Sequence, residues 1–369
     1  MTSSPPFEIF LVGHPGIEPV LADETRALGF PKPKIVTGGV TFQGGWADVW
    51  RANLELRGAT RVLARIGAFR VMHLAQLDKR ARKFPWKDFL RPDVPLRVEA
   101  TCTRSKIYHS AAAAQRIETA IREELKAPIS KDAEIVIKAR IEDDLCTISI
   151  DTSGESLHKR GHKEGVGKAP MRETMASLFL RQCGYDGTGP VVDPMCGSGT
   201  FIIEAAEIAA GLMPGRARSF AFEKLAGFDA AAWAAMKQES ETKTPGFRFH
   251  GSDRDAGAIR MAKENAERAG VAAFTDFQQR SISDLVTPQG PPGLVIVNPP
   301  YGTRIGDRKA LYGLYGALGK VLLTRFSGWR VGLVTTETSL AKATNLPFET
   351  PGQSVAHGGL SVTLYRTAI

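Results

Sequence analysis

Cysteine is scarce in this chain, and its four residues are scattered: Cys102, Cys146, Cys183 and Cys196. None forms a CxxC pair, which argues against a disulfide scaffold and against the common zinc-site patterns. No apolar run approaches the roughly 20 residues of a membrane-spanning helix, and the best candidate, 201–213, is interrupted by Glu204 and Glu207. The N-terminus lacks the basic start and long apolar core of a signal peptide. These absences predict a soluble cytoplasmic protein with no bound metal and no membrane partner.

Positive charge is concentrated in one part of the chain. The whole sequence carries 48 Lys and Arg against 39 Asp and Glu, a formal net charge of +9. Residues 51–140 alone hold 20 basic and 10 acidic side chains. Such a local excess is expected where one module binds a polyanion. A solvated basic face without a partner is the alternative.

Residues 1–50 read as a small α+β module. A strand at 7–12 precedes a helix at 16–29, and a second strand, interrupted by two glycines, follows at 35–42. The mixture of one helix with short strands predicts a unit that packs its helix on a sheet.

Residues 51–152 continue the α+β pattern. A predicted helix over 52–66 is followed by a basic stretch, a strand, an alanine-rich helix and a hairpin that turns at 142–144. A segment rich in Gly, Ser, Lys and His then covers 153–170 and is predicted to be a linker.

Residues 171–369 alternate strands with helices and end in a hairpin at 354–367. That rhythm predicts an α/β domain with a doubly wound, mostly parallel sheet closed by an antiparallel hairpin. Ligands of such sheets bind beyond the carboxyl ends of the strands, so polar residues at those ends are the candidate site.

The first strand of this domain ends in DPMCGSGT, residues 193–200. An acid closes the strand, and two glycines let a ligand approach the backbone; a plain tight turn is the alternative. Ile202 stands where a dinucleotide fingerprint needs a small residue, and no GKS or GKT follows, which disfavours NAD and P-loop sites. No partner pattern activates Cys196 as a nucleophile. The candidate cofactor-binding residues here are Asp193, Met195, Cys196, Gly197, Ser198, Gly199 and Thr200.

Acidic residues follow the next two strands. In GSDRD, Asp253 with Arg254 beside it is predicted to bind the ribose of an adenosine-containing ligand, and Asp255 to cap the next helix; either aspartate can act as the cap. In SISD, Ser283 and Asp284 are candidates to bind an adenine amino group.

The fourth strand ends in LVIVNPPYG, and with it the four sites together resemble class I S-adenosylmethionine-dependent methyltransferases. DPMCGSGT is similar to their cofactor glycine loop, GSDRD to their ribose acid and SISD to their adenine acid. The resemblance implies a Rossmann-like fold and S-adenosyl-L-methionine as cofactor.

The NPPY tetrapeptide, Asn298, Pro299, Pro300 and Tyr301, resembles the signature of family members that methylate nitrogens on planar groups. The lone pair of such an amine is delocalised. Asn298 Oδ1 and the Pro299 carbonyl can accept its hydrogens and turn that lone pair towards the cofactor methyl, and Asn298 also borders the cofactor. The prolines fix φ and lack N–H groups, and Tyr301 can stack on a flipped-out base.

A closer resemblance covers nearly the whole chain. NPPYGTRIGD, SLHKRG and KAPMRETMA are similar to segments of THUMP-domain RNA guanine-N2 methyltransferases, and SLHKRG with DPMCGSGTF to their RlmL branch. This implies a ferredoxin-like unit at 1–50, a THUMP RNA-binding domain at 51–152, a linker at 153–170 and one methyltransferase domain at 171–369. The implied reaction is methylation of guanine N2 in RNA, foremost 23S ribosomal RNA.

The resemblance gives the basic residues a role as RNA contacts. Phe84 and Trp86, which lie among them, either stack on bases or pack the domain, and the histidine-containing linker residues either touch RNA or are solvated. The candidate RNA-binding residues are Lys79, Arg80, Arg82, Lys83, Lys87, His158, Lys159 and Arg160.

One departure from the family concerns the C-terminal hairpin, which reads His357-Gly358-Gly359 where relatives more often have Asn-Gly. It leaves the substrate less secure than the reaction type. A transfer RNA guanine-N2 methyltransferase is the alternative enzyme, and an RNA-binding or ribosome assembly factor without activity is the alternative outside enzymes.

Overall fold

A computed structural model describes residues 5–164, 171–239, 242–301 and 308–369. By their contacts these residues form two compact units. The first comprises the residues up to Gly13, Ala22–Leu157 and Arg218–Glu239, and the second comprises His14–Leu21, His158–Ala217 and the residues after Glu239. No helix in the described ranges is both long and apolar enough to cross a bilayer.

One seven-stranded sheet forms the first unit. Its strands are β1 (Phe7–Val12), β2 (Lys34–Val36), β3 (Gly39–Gly44), β4 (Arg61–Arg70), β5 (Leu96–Thr103), β6 (Ile135–Glu142) and β7 (Leu145–Asp151). They lie in the order β2-β3-β1-β4-β7-β6-β5. Strand β4 pairs antiparallel with β1 on one side and with β7 on the other. The strands expected in two separate modules therefore share one hydrogen-bonded sheet.

The predicted helix over 52–66 is wrong. The helix α2 covers Trp46–Glu55, and β4 begins at Arg61. Leu56 already has an extended backbone, and Thr60 N donates to Val12 O at 2.8 Å. Pairing with β1 and β7 satisfies the backbone groups of β4, so tertiary contacts override the local helix propensity.

The helices of the first half of the chain are, besides α2, α1 (Glu18–Ala27), α3 (Leu74–Arg82) and α4 (Ser110–Leu125). After α3, the buried Trp86 donates its indole N–H to Ala81 O at 2.7 Å. Phe84 packs on the backbone of Gly67, where an added Cβ would lie 2.7 Å from the ring. The packing alternative, not base stacking, therefore describes both aromatic residues.

A second seven-stranded sheet forms the second unit. Its strands are β8 (Val191–Asp193), β9 (Phe249–Asp253), β10 (Thr275–Gln279), β11 (Leu294–Val297), β12 (Arg330–Thr335), β13 (Val355–His357) and β14 (Leu360–Ala368). The order is β10-β9-β8-β11-β12-β14-β13. Neighbouring strands in the run β10-β9-β8-β11-β12 are parallel. Strand β14 is antiparallel to both β12 and β13. The doubly wound sheet with a closing hairpin is confirmed.

The helices of the second half alternate with these strands. They are α5 (Glu173–Gln182), α6 (Thr200–Ala209), α7 (Ala230–Gln238), α8 (Ala256–Ala269), α9 (Arg308–Arg325) and α10 (Thr338–Ala343). Helix α7 lies in the segment that belongs to the first unit. There Trp50, Phe222 and Trp233 form one aromatic cluster, with the Phe222 and Trp233 rings edge to face at 5.0 Å.

The described part of the predicted linker makes ordered contacts within each unit. In the first unit, Ser153 Oγ donates to Asn53 Oδ1 at 2.6 Å and accepts from Val62 N at 2.9 Å. In the second, His162 O accepts from Arg268 Nε at 2.8 Å. Residues 165–170 lie outside the described residues, and the predicted domain boundaries stay predictions.

Candidate active site

Four polar strand ends meet at one edge of the second unit's sheet. Because β8 to β11 run parallel, Asp193, Asp253, Arg280 and Asn298 all lie at carboxyl ends. Strands β8 and β11 are neighbours although β9 and β10 come between them in the chain. The strand order reverses there, which is where open α/β sheets bind ligands.

The loop after β8 is held by two carboxylates. Met195 N donates to Asp193 Oδ1 and Gly197 N donates to Asp253 Oδ2, each at 3.0 Å. The second bond ties the end of β9 to the glycine loop. The predicted cofactor residues from two strands are thereby brought together.

Gly199 ends this loop in a conformation that favours glycine. Its φ is +86°, and an added Cβ would lie 3.1 Å from the ring of Phe277 and 3.2 Å from Ala262 Cβ. Helix α6 begins at the next residue, Thr200. Ser198 O accepts from Asn265 Nδ2 at 3.1 Å, which fixes the loop against α8. The side of the turn that faces Phe277 and Ala262 is therefore filled, and the turn can accommodate a ligand only on its opposite side.

Asp193 is 2% exposed. Burial, together with the charge of Asp253, raises its pKa to about 8. Burial also raises the pKa of the Cys196 thiol well above its usual value, with Asp193 adding to the effect. Because thiolate, not thiol, is the nucleophile, Cys196 acts as a packing residue.

Of the two roles that GSDRD suggested, the structure assigns the helix cap. Asp255 caps α8, since its Oδ1 accepts from Gly257 N at 2.7 Å, and that prediction is confirmed. Asp253 Oδ1 accepts from Asp255 N at 3.0 Å. A carboxylate has about four lone-pair sites, so Asp253 retains acceptor capacity for two hydroxyls. Arg254 is exposed beside it.

The SISD residues form a short 3-10 turn over Ile282–Asp284. Ser281 Oγ donates to Asp284 Oδ2 at 2.6 Å. Arg325 Nη1 donates to Ser283 O at 3.0 Å and so anchors the turn to α9. Both predicted residues, Ser283 and Asp284, are exposed. Their adenine contact stays a prediction.

Asn298 presents an open acceptor. The residue is half-buried, its Oδ1 is fully buried, and that atom has no hydrogen-bond partner among the described residues. An unpaired buried acceptor costs about 1–3 kcal/mol, so it is retained where a ligand supplies the donor. Its place immediately after β11 puts that acceptor beside the strand that carries the glycine loop.

The turn behind Asn298 is fixed by a residue from α9. Tyr315 is fully buried, and its hydroxyl donates to Pro300 O at 3.3 Å while contacting Thr335 Oγ1 at 3.1 Å. Burial raises the pKa of Tyr315, so the hydroxyl keeps its proton. Tyr301 is 7% exposed, and its stacking on a base stays a prediction.

The RNA contact predicted for Arg160 is wrong. Its guanidinium is 2% exposed and donates to the equally buried Glu204 at 2.8 Å. His158 is half-buried, and burial with the charge of Arg172 lowers its pKa to about 4, so it is neutral at pH 7. Lys159 is exposed. Of these three residues, Lys159 offers a positive charge at the surface.

The predicted basic residues of the first unit lie around the end of α3. Arg82 pairs with Asp78, Glu123 and Glu124. The others are exposed and occur together along the chain: Lys79, Arg80, Lys83 and Lys87. They form the basic row, a name kept below for these four residues.

Comparison with protein families identifies the second unit. The family described as the RMKL-like methyltransferase domain matches residues 160–365, which is more than half of the chain. The chain belongs to the RMKL-like methyltransferases. The RlmL ferredoxin-like domain matches residues 8–63 and the THUMP domain residues 73–151. The predicted fold class is thereby confirmed for all three domains.

Individual relatives of this RMKL-like methyltransferase agree. Ribosomal RNA large subunit methyltransferase K/L of Syntrophotalea carbinolica is 38% identical over 358 residues, 91% of this chain and 50% of the relative. The chain thus spans about half the length of that curated relative. The fold of this chain is similar to that of a predicted N6-adenine-specific DNA methylase from Listeria monocytogenes. The two have 30% identity and a TM-score of 0.87, and the match covers 98% of this chain and 96% of the other. SMU.472, a methyltransferase complexed with SAH, has 28% identity and TM-score 0.88, covering 99% and 98%.

Sequence reasoning missed a group of residues beside the glycine loop of this RMKL-like methyltransferase. Lys163 Nζ donates to Thr200 Oγ1 at 2.8 Å and pairs with Glu173 at 3.0 Å. Both border a small cavity that is also lined by Ser198 and Glu204. Lys163 lies two residues after the SLHKRG segment quoted for the family, but no spacing rule connects it to α6. Among the described residues, no group of His, Cys, Asp and Glu could hold a metal ion.

Proposed function

We propose that this chain transfers a methyl group from S-adenosyl-L-methionine to the exocyclic N2 of a guanine in RNA, with 23S ribosomal RNA as the favoured substrate. The observation that carries the proposal is the buried, unpartnered Oδ1 of Asn298 next to the glycine loop. The curated relative is named for large-subunit ribosomal RNA, which supports the substrate. A cytoplasmic location is part of the same proposal.

The residues around the glycine loop fit the cofactor. Gly197 leaves open space at the glycine loop, since an added Cβ there would meet nothing within 4 Å, and Asp253 can accept ribose hydroxyls. Asp284 is placed to accept from the adenine amino group. When bound, S-adenosylmethionine supplies an electrophilic methyl group. The similar protein SMU.472 was crystallised with SAH, the demethylated cofactor, and this supports the same ligand here.

On the substrate side, Asn298 holds the amine rather than deprotonating it. Its Oδ1 accepts one N–H and the Pro299 carbonyl accepts the other, which directs the nitrogen lone pair away from the base ring. The amide is not basic, so the proton leaves to solvent after the methyl has been transferred. Tyr315 keeps the turn rigid through Pro300 O. Catalysis then rests on position and preorganised dipoles.

The first unit supplies the affinity for RNA in this proposal. Its THUMP domain carries the exposed basic row, whose ammonium and guanidinium groups can neutralise phosphates. Such contacts are largely independent of sequence. The target guanine is therefore selected by the second unit and by RNA shape.

The test is a methyl-transfer assay on the purified chain. Methyl-labelled S-adenosylmethionine is incubated separately with unmodified 23S ribosomal RNA, transfer RNA and duplex DNA, and the labelled nucleosides are identified. N2-methylguanosine from ribosomal RNA is expected. The same nucleoside from transfer RNA alone would move the activity to that substrate, and labelled adenine in DNA, the substrate named for the Listeria protein, would overturn the proposal. Cofactor binding without transfer would favour an assembly factor.

Two variants of Asn298 link the assay to the site. Asn298→Ala removes the acceptor and should lower turnover about 100-fold or more, while cofactor affinity changes little. Asn298→Asp keeps an Oδ acceptor at the same place and should retain more activity than Asn298→Ala. Equal activity of the wild type and Asn298→Ala would show that the acceptor is not used.

A further inference from the structure

The first unit exposes three large hydrophobic side chains at one end of its sheet. Tyr108 is 74% exposed, Met72 49% and Leu145 39%. The other large hydrophobic described as exposed in this unit, Ile35, lies in β2 at the opposite edge of the sheet. Large apolar side chains left exposed on a protein surface mark an interaction site when they cluster.

Two contacts of Lys106 bring the three segments together. Lys106 N donates to Asp144 Oδ1 at 2.8 Å, which joins the Tyr108 loop to the β6–β7 turn before Leu145. Lys106 Nζ lies 3.8 Å from Met72 Sδ, which joins the same loop to the start of α3. Met72, Tyr108 and Leu145 therefore belong to one patch.

Tyr108 does not stand alone in this patch. Its ring lies over His109, with centroids 4.3 Å apart and planes inclined by 42°. Both residues are exposed, on a loop already fixed by the bond from Lys106. We call Met72, Tyr108, His109 and Leu145 the platform.

The charges around the platform are nearly balanced. Arg104 pairs with Glu142 and Asp143, while Lys106 adds a positive charge. A partner attracted only by charge would find little here. The platform therefore suits a flat, partly apolar group, with electrostatic binding supplied elsewhere.

The basic row, which begins in α3, supplies the electrostatic binding. Helices α3 and α4 run in one direction, since Met72 meets Lys106 before their first residues and Arg82 meets Glu123 near their last. Helix α3 has nine residues, so the platform and the basic row are separated by about 13 Å at 1.5 Å per residue. One short RNA segment can therefore reach both.

We propose that the platform stacks an unpaired RNA base while the basic row holds the phosphates that follow it. The proposal rests on the proposed function only in taking RNA as the ligand. Stacking on exposed aromatics is how proteins bind unpaired bases, and Tyr and His rings with a nearby Lys fit a nucleobase better than an aliphatic partner. Single-stranded or looped RNA should then bind more tightly than a perfect duplex.

The test is a binding titration without cofactor, so that it is independent of catalysis. The probes are an unstructured RNA of about 12 nucleotides carrying 2-aminopurine and a duplex of equal length. Tyr108→Ala should weaken binding of the single strand about tenfold and remove the quenching of 2-aminopurine that stacking causes. Tyr108→Phe should preserve both, and Ile35→Ala, an exposed change at the opposite edge, should alter neither.

Two further measurements distinguish stacking on the platform from binding by charge. The dependence of affinity on salt should be the same in Tyr108→Ala and wild type, because no charge is removed. Unchanged single-strand affinity in Tyr108→Ala would overturn the platform even if methyl transfer to RNA is observed. Absence of RNA binding by the wild type in this titration would overturn the platform. Methyl transfer to RNA, measured in the separate assay, would then still support the proposed function.

Discussion

In the first unit arginines such as Arg82 and Arg104 pair with carboxylates at the surface, whereas in the second unit Arg160 pairs with Glu204 in the interior. The side chains of Arg104 and Asp143 are 62% and 65% exposed, against 2% and 1% for Arg160 and Glu204. Exposed pairs contribute little stability, while a buried charge left without its partner is strongly destabilising. The exposed pair of Arg104 and Asp143 can therefore be changed at little cost in stability, whereas the buried pair of Arg160 and Glu204 cannot.

The largest effect is expected when the buried pair of Arg160 and Glu204 is broken. Glu204→Ala leaves the Arg160 guanidinium buried without its carboxylate and should lower the free energy of unfolding by about 3–5 kcal/mol. The measurement is chemical denaturation of the wild type and the variant. Glu123→Ala is the matched control, because it removes an exposed partner of Arg82 and should leave the unfolding midpoint almost unchanged. Equal shifts in the two variants would contradict the comparison.

A smaller effect is expected from the hydroxyl behind the active-site turn. Tyr315→Phe keeps the buried ring but removes its bonds to Pro300 O and Thr335, so the turn that carries Asn298 loses rigidity. We expect kcat to fall about tenfold with little change in KM for the cofactor. Tyr365→Phe is the control, since it removes another hydroxyl contact, to Thr338 Oγ1 at 2.8 Å. A change in KM alone would argue against a positioning role.

The smallest effect concerns the protonation of Asp193. Its pKa of about 8 lies above the usual 3.8, so the folded state binds a proton that the unfolded state releases. Stability from this group is complete below about pH 4 and is lost as the pH rises through 8. Between pH 7 and 8 we expect a loss of about 1 kcal/mol. His14 and His158, with pKa values lowered from 6.5 to about 4, add only a small slope of opposite sign above pH 7, since most of both side chains is then neutral in the unfolded state too.

Asp193→Asn sharpens this prediction. The amide stays neutral throughout the range, so the loss of unfolding free energy between pH 7 and 8 should disappear. Thermal or chemical unfolding of the cofactor-free chain at both pH values measures it. The same slope in wild type and variant would assign the pH dependence to another group.

Much of the second unit could be predicted because its signals are local. Strand β11 is a run of four buried apolar residues, and β8 and β9 each end in an acid, Asp193 and Asp253. Helix α7 carried a signal too, since Asp229 precedes its alanines and caps Ala231 N and Ala232 N, but it was not assigned.

What could not be predicted depends on contacts between distant residues. Arg160 and Glu204 are 44 positions apart, and nothing near Arg160 indicates that its charge is already paired. Tyr315 contacts Pro300, which lies 15 positions away in the chain. The sequence of the helix does not indicate that the tyrosine at this position makes that contact. The strand β4 was mistaken for a helix for the same reason, because its partners are β1 and β7 rather than its neighbours in the chain.

The shared strand β4 has a consequence for engineering. A chimera made by exchanging only residues 51–152 would separate β4 from β1 and expose an unpaired strand edge, a common cause of aggregation. The transplantable piece is the whole seven-stranded sheet together with Arg218–Glu239, whose Phe222 and Trp233 pack with Trp50. Exchange of the first unit therefore requires three separate stretches of sequence to be moved at once: the residues up to Gly13, Ala22–Leu157 and Arg218–Glu239.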